Sequence, residues 1–142
     1  MTRTVADAMV TIPKTLPASV RVEEARAAFA DPKVHLLLLT RGSRLVTTLT
    51  RADLVGAVGG PVRWHGRTAG RVTAPGESLA EVGAWMRQTA TRRLAVIAED
   101  DRLLGLLCLK ADGSGFCSDA NVRARMSDRR TDLSHSMGNV MH

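Results

Sequence analysis

The sequence predicts an α+β domain formed by an internal duplication, in which two β-α-β-β-type halves share one core. Three observations predict this fold class. A helical apolar pattern followed by two apolar runs occurs twice at a constant spacing. Turn residues bound each run. The 142 residues suit a single domain, and 44% of them are hydrophobic, which is enough to build a core.

The first half contains one predicted helix and two predicted strands. Segment 22–29 places its apolar residues on one helical face, and these are Val22, Ala25, Ala28 and Phe29. Apolar runs follow at 35–40 and 45–49, and the turn 41–43 separates them. The predicted order is helix, strand, turn and strand.

The second half repeats this order. Ser78 is a predicted N-cap, and the apolar face of the helix after it consists of Leu79, Val82, Trp85 and Met86. A run at 94–98, an acidic turn at 99–101 and a run at 103–109 come next. Both runs of each half are almost continuously apolar, which indicates sheets that are covered on both faces.

The spacing of the two halves and the breaks in pattern set the domain boundaries. Arg44 aligns with Arg102, 58 residues later. The first repeat is predicted over 1–60, a linker over 61–70 and the second repeat over 71–126. The polar, aperiodic segment 127–142 is predicted to be a disordered tail. Trp64, in the linker, is expected to pack back onto the domain.

Composition limits the compartment and the chemistry. No apolar stretch reaches the roughly 18 to 20 residues of a membrane span, and the N-terminus lacks a signal-peptide pattern, so a cytoplasmic protein without membrane contact is expected. Cys108 and Cys117 are too few for a disulfide scaffold, so both are predicted to be free thiols. The scattered histidines match no metal-ligand spacing. Cys117 is also a weaker candidate for an exposed redox-sensitive thiol.

The net charge of +6 favours anionic partners. Most of the positive charge is arginine, however, and it is dispersed from Arg3 to Arg130. Aromatic residues make up only 3% of the chain, so platforms for stacking bases are nearly absent. A nucleic-acid surface is therefore not expected, whereas phosphate binding by a few arginines stays open. No catalytic triad, carboxylate pair or phosphate loop appears, so an enzyme is not expected.

Several fixed points of the first half resemble a known repeat. They are the segments 4–9, 22–29 and 44–54 together with Pro13. This series resembles a CBS (cystathionine-beta-synthase) domain, and two such repeats resemble the tandem pair called a Bateman module. The resemblance extends over roughly residues 4–126. It is weaker in the second half, where 70–75 lacks the Asp-x-Met element.

The resemblance implies a definite architecture and role. Each repeat is then a β-α-β-β-α unit, the two are related by a pseudo-two-fold, and modules pair into a disc-like homodimer. Such modules are regulatory sensors, not catalysts, and bind AMP, ADP, ATP or S-adenosylmethionine between the repeats. A separate effector protein would receive the signal. The alternative is a ligand-free dimerisation or protein-interaction module with degenerate sites.

Thr50 and Asp53 carry the sharpest motif. It opens a helical apolar pattern that consists of Leu54, Val55 and Val58. The resemblance implies that Thr50 lies near phosphate and that Asp53 accepts hydrogen bonds from ribose hydroxyls. A carboxylate suits a vicinal diol, and a helix N-terminus suits phosphate. The same residues also fit a capping box, which needs no ligand. Both roles can hold at once.

Arg92 and Arg93 occupy the turn after the second long helix. They align with Val34 and His35, which are therefore candidate ligand contacts too. The resemblance implies that basic residues here reach the nucleotide phosphate, which a guanidinium fork suits. The simpler interpretation is an exposed pair at a helix C-terminus. Adenine would need an apolar slot, for which the candidates are Ile12, Pro13, Val34 and Leu36.

The equivalent site in the second half has two interpretations. Strand counting places Cys108 and Ala111 at the two ligand positions, which would make this site inactive. Alternatively, 110–117 is an inserted loop, after which Ser118 caps the last helix and Asn121 takes the ribose position. An uncharged Asn would make this second site the weaker one.

Overall fold

The computed structural model describes residues 3–11 and 13–117. The first half consists of α1 (Val5–Ala8), β1 (Thr15–Pro17), α2 (Val22–Phe29), β2 (Leu37–Arg41), β3 (Arg44–Leu49) and a 3₁₀ turn (Arg51–Leu54). The second half consists of a 3₁₀ turn (Val62–His65), β4 (Val72–Thr73), α3 (Leu79–Thr89), β5 (Arg93–Ile97) and β6 (Leu103–Cys108). None of the helices in this part of the chain is long and apolar enough to cross a bilayer.

The two halves build the same small sheet. β1 pairs parallel with β2, and β2 pairs antiparallel with β3. β4 pairs parallel with β5, and β5 pairs antiparallel with β6. In each half a helix connects the two parallel strands, as a parallel crossover requires. The predicted α+β class and the internal duplication are confirmed.

The two sheets pack face to face, and a helix covers the outer face of each. Successive residues of a strand point to opposite faces. Leu37 and Leu39 therefore join the cluster under α2, whereas Leu38 joins a cluster that it shares with Ala95 of the other sheet. The neighbours of Ala95 in β5 pack under α3. This arrangement confirms that the apolar runs are covered on both faces.

The N-terminal segment packs on the second half. Val5 is fully buried in the cluster under α3. The N–H of Val10 donates to the carbonyl of Leu106 at 2.7 Å, and the N–H of Leu106 donates back at 2.9 Å. A Cβ on Gly105 would lie 2.5 Å from the Val10 carbonyl oxygen. A side chain at this position would therefore separate the two segments.

The linker packs on the first half, but not through Trp64. The N–H of Arg67 donates to the Thr48 carbonyl at 3.0 Å, and Val62 is completely buried. Trp64 is 74% exposed, with the Arg63 guanidinium 5.9 Å from its ring centroid. The expectation that Trp64 packs back was wrong, because Val62 fills the interior position instead.

The helix expected after Thr50 is also much shorter than the sequence predicts. It ends as a 3₁₀ turn at Leu54, and Val55 and Val58 are 84% and 92% exposed. Val55 is already extended, and Gly56 adopts a φ of +80°, which a right-handed helix excludes. The boundaries of the repeats stay predictions, and the tail 127–142 lies outside the described residues.

Candidate functional site

A cleft of about 390 Å³ opens where the two halves and the linker meet. The first half contributes His35, Leu36 and Thr50. The linker and the start of β4 contribute Arg67 and 69–71, and the second half contributes Trp85 and Thr91, Arg92 and Arg93. The structure thus brings together five of the predicted site residues, which are His35, Leu36, Thr50, Arg92 and Arg93.

Asp53 lies behind this cleft in an ion pair that the sequence did not predict. Arg71 Nη1 donates to Asp53 Oδ2 at 2.6 Å, and Nη2 donates to Oδ1 at 3.2 Å. Both side chains are only 12% exposed. The two parallel bonds form the bidentate arrangement that guanidinium and carboxylate favour. The carboxylate is therefore already satisfied within the protein.

Thr50 connects this ion pair to the chain. Its N–H donates to Asp53 Oδ2 at 2.8 Å, which is the backbone half of a capping box. Arg71 Nη2 also donates to Thr50 Oγ1 at 3.4 Å. Burial by itself raises the pKa of Asp53, but the bonds from Arg71 and from the Thr50 amide outweigh it and lower the pKa below its ordinary value.

Positive charge dominates the cleft. Among its lining residues within the described chain, four are arginines and none is acidic; the arginines are Arg67, Arg71, Arg92 and Arg93. Burial lowers the pKa of His35, and the charges of Arg93, Arg51 and Arg92 lower it further. His35 is therefore a neutral imidazole at pH 7. The cleft suits an anion and disfavours a cation.

The end of α3 directs Arg92 and Arg93 toward the cleft. Ala90 adopts a left-handed conformation, and the N–H of Thr91 donates to the Met86 carbonyl at 2.9 Å. This motif reverses the chain immediately after the helix. Arg92 Nε then donates to the Leu109 carbonyl at 3.3 Å, which anchors its guanidinium at the end of β6.

No family model matches the sequence, and no curated protein matches it. Solved structures do. An acetoin utilization protein (AcuB) from Vibrio cholerae aligns at a TM-score of 0.62 and 18% identity over 96% of this chain and 99% of that chain. CBSX2, solved in complex with AMP, aligns at 0.65 and 22% identity over 90% and 99%. The CBS domain pair of the protein MJ0100, solved with 5′-methylthioadenosine and S-adenosyl-L-methionine, aligns at 0.59 and 13% identity over 91% and 99%.

The fold is that of a tandem CBS domain pair. A second, apolar pocket of about 240 Å³ adjoins the cleft and shares Gly70 and Trp85 with it. Its apolar lining comes from Val72, Val82 and Leu94. Trp85, predicted to belong to the core, is instead 39% exposed. The buried face of α3 consists of Leu79, Gly83 and Met86, and Trp85 lies beside it.

The other predicted site residues lie elsewhere. Val34 is buried in the cluster under α2, and Pro13 is half-buried; neither lines the cleft. Ile12, Ser118 and Asn121 lie outside the described residues. Residues 110–117 form a loop that returns along β6, and both interpretations of the second site stay predictions. The roles of all these residues as ligand contacts stay predictions.

Proposed function

We propose that this CBS pair is a regulatory, non-catalytic module that binds an adenine nucleotide or related adenosyl compound in the cleft between its repeats. The observation that carries the proposal is the cleft itself, which is lined by four arginines and Thr50, and Asp53 lies directly behind it. Solved CBS pairs of the same fold hold AMP, 5′-methylthioadenosine and S-adenosyl-L-methionine, which supports an adenosyl ligand.

The proposed contacts divide the ligand into three parts. Arg92 and Arg93 bind phosphate through their guanidinium groups. The ribose hydroxyls bind Asp53, and to do so they replace one of the two bonds from Arg71. The displaced guanidinium then turns toward the phosphates. Adenine enters the adjoining apolar pocket beside Trp85.

The positive charge of the cleft predicts the order of affinity among the possible ligands. With four arginines and no acidic side chain in its lining, the cleft attracts ligands in proportion to their negative charge. ATP should bind more tightly than AMP, and AMP more tightly than S-adenosylmethionine, which carries a sulfonium cation. We therefore expect a phosphorylated nucleotide to be the physiological ligand.

Calorimetric titration with ATP, AMP and S-adenosylmethionine tests this proposal. The double variant Arg92→Ala/Arg93→Ala should bind ATP at least about tenfold more weakly per arginine, since a charged hydrogen bond contributes about 1.5 kcal/mol or more. Arg41→Ala is the matched control, because Arg41 is an exposed arginine at the other end of β2. Absence of binding by all three compounds, or unchanged ATP binding in the double variant, would refute the proposal.

A ligand-free interaction module is the second candidate, and two observations favour it. Arg71 already satisfies Asp53, and Val55 and Val58 present an exposed apolar surface for a second copy of the chain. Under this candidate, nucleotide leaves the melting temperature unchanged, and Val55→Asp/Val58→Asp converts a homodimer to a monomer in sedimentation. Under the first candidate, nucleotide at 100 times Kd adds about 2.7 kcal/mol of stability.

Under either candidate, another protein must respond to the state of this module. We propose that a separate effector protein reads the state of the cleft, that the chain acts as a homodimer, and that it does so in the cytoplasm. Copurification from cells with and without added nucleotide, followed by mass spectrometry, tests for such a partner. A partner that binds equally in both conditions favours the interaction module.

A further inference from the structure

Two thiols meet at the end of β6, next to the start of β5, where Arg93 of the cleft lies opposite Cys108. Cys108 is the last residue of β6, and Cys117 follows the loop that returns along this strand. Their Sγ atoms lie 2.7 Å apart, and the two residues are only 6% and 8% exposed. The sequence predicted free thiols and, for Cys117, a weaker possibility of exposure. The structure buries Cys117 and places it against the other cysteine.

The backbone holds these two residues opposite each other. The N–H of Cys117 donates to the Cys108 carbonyl at 2.7 Å, and the N–H of Lys110 donates to the Gly115 carbonyl at 2.8 Å. Leu109 and Phe116 form an antiparallel bridge between these bonds. Opposed residues of an antiparallel pair have Cα atoms about 4.5 to 5.5 Å apart, which lies within the range that disulfides span. A disulfide therefore needs little backbone movement.

We propose that Cys108 and Cys117 are a redox modification site, at which a small peroxide converts the two thiols into a reversible intramolecular disulfide. In the first step the Cys117 sulfur loses its proton and attacks one oxygen of hydrogen peroxide. The O–O bond breaks, water leaves, and a sulfenic acid forms on Cys117. In the second step the Cys108 sulfur attacks the Cys117 sulfur, and the departing hydroxide takes the Cys108 proton to leave as water. Two electrons and two protons pass from the thiols to the peroxide.

The surroundings of the two thiols set this order. Burial and the hydrogen bond with Cys117 raise the pKa of Cys108 to about 11, so Cys108 is protonated at pH 7 and is a poor first nucleophile. Cys117 lies at the end of a loop whose Lys110, Ala111 and Asp112 are exposed. We therefore expect a small oxidant to reach the Cys117 sulfur from the side of this loop.

The disulfide would covalently fix the 110–117 loop, which the reduced protein holds against α3 by a hydrogen bond and by packing. Arg87 Nε donates to the Gly113 carbonyl at 3.0 Å, and Phe116 packs against the cluster under α3. A covalent bond between Cys108 and Cys117 closes this loop and restricts the conformations of the unfolded chain. It would also rigidify the strand pair in which Cys108 lies opposite Arg93.

Peptide mapping of the full chain tests the proposal. The protein is treated with hydrogen peroxide, alkylated and digested with trypsin, which places Cys108 in peptide 103–110 and Cys117 in peptide 111–123. We expect these peptides to be linked by one disulfide, the intact mass to fall by two hydrogen atoms, and dithiothreitol to restore two alkylatable thiols. Unlinked peptides that carry added oxygen, or thiols that still alkylate fully, would overturn it.

Two comparisons show whether the folded structure causes the linkage. The native chain should keep the disulfide at a higher ratio of reduced to oxidised glutathione than the chain unfolded in guanidinium, because only the fold holds the sulfurs together. Cys108→Ser should take up oxygen at Cys117 instead of losing hydrogen, whereas Cys117→Ser should react slowly, because the remaining Cys108 is buried and protonated. Equal thiol–disulfide equilibria in the native and unfolded chain would contradict the proposal, even if neither variant folds.

Discussion

At the scale of single residues, the chemistry of the cleft depends on the ion pair between Asp53 and Arg71. The carboxylate accepts two bonds from the guanidinium and one from the Thr50 amide. In a site that is 12% exposed, loss of either partner leaves a charged group with little solvent to replace it. The ion pair therefore stabilises the junction between the repeats. It also limits the hydrogen bonds that Asp53 can accept from a ligand.

A double-mutant cycle in the absence of nucleotide measures this coupling. We expect Asp53→Ala and Arg71→Ala to couple by about 1 to 3 kcal/mol in urea unfolding, since the two groups are in direct contact. Asp53→Ala combined with Arg41→Ala is the control pair, and its effects should add. Additive effects for Asp53 and Arg71 would show that the ion pair contributes nothing beyond its separate residues.

The residue His35 reports the electrostatic state of the cleft. Because its pKa in the folded protein lies below 6.5, the unfolded chain binds more protons than the folded chain as pH falls below that value. The contribution of His35 to stability is thus complete above about pH 6.5 and decreases at lower pH. A bound phosphate should raise the pKa of His35, so ATP should bind more tightly as pH falls through this range.

Titration of the His35 ring protons by NMR checks both statements. The midpoint should lie below 6.5 in the free protein and move upward with ATP or in Arg92→Ala/Arg93→Ala. Arg41→Ala should leave it unchanged. A midpoint at or above 6.5 in the free wild-type protein would contradict the electrostatic description of the cleft.

At the scale of elements, close backbone contacts join the repeats. Gly105 in β6 lets the N-terminal segment approach until Val10 and Leu106 exchange two hydrogen bonds. Gly66 lets the linker lie on β3, because a Cβ there would be 2.7 Å from Thr47 Oγ1. The Gly105 contact attaches the N-terminal segment to the sheet of the second half. The Gly66 contact attaches the linker to the sheet of the first half.

Two glycine-to-alanine substitutions distinguish the cost of a steric clash from the effect of reduced chain entropy. Gly105→Ala should destabilise the fold by about 1 to 3 kcal/mol, because the added methyl meets the Val10 carbonyl and the Met9 side chain. Gly76→Ala is the matched control, since a Cβ there meets open space and should change stability by less than about 1 kcal/mol. Denaturant unfolding measures both. Equal stabilities would show that the N-terminal segment is not held as described.

Most elements could be predicted from the sequence, because their signals are local. The periodicity over 22–29 coincides with α2, and the apolar run at 103–109 contains β6. The helix after Thr50 was predicted wrongly, because the apolar spacing of Leu54, Val55 and Val58 outweighed the nearby glycines. The structure ends the turn at Leu54, because Val55 is extended and Gly56 adopts a φ of +80°.

At the scale of the whole molecule, the site arises where distant segments converge. No periodicity indicated that Arg71 reaches Asp53, because the linker between them follows an irregular path. The return of 110–117 along β6, and with it the meeting of Cys108 and Cys117, has no local signal either. The arginines are dispersed along the sequence, but four of them line one cleft in the structure.

The central claim is that this cleft between the repeats binds a phosphorylated adenine nucleotide. The most direct test is a crystal structure of the protein grown with saturating ATP. We predict phosphate against Arg92 and Arg93, ribose on Asp53 with one Arg71 bond displaced, and adenine beside Trp85. A nucleotide bound elsewhere, or a cleft without nucleotide while the Arg71 to Asp53 pair stays intact, would contradict the account.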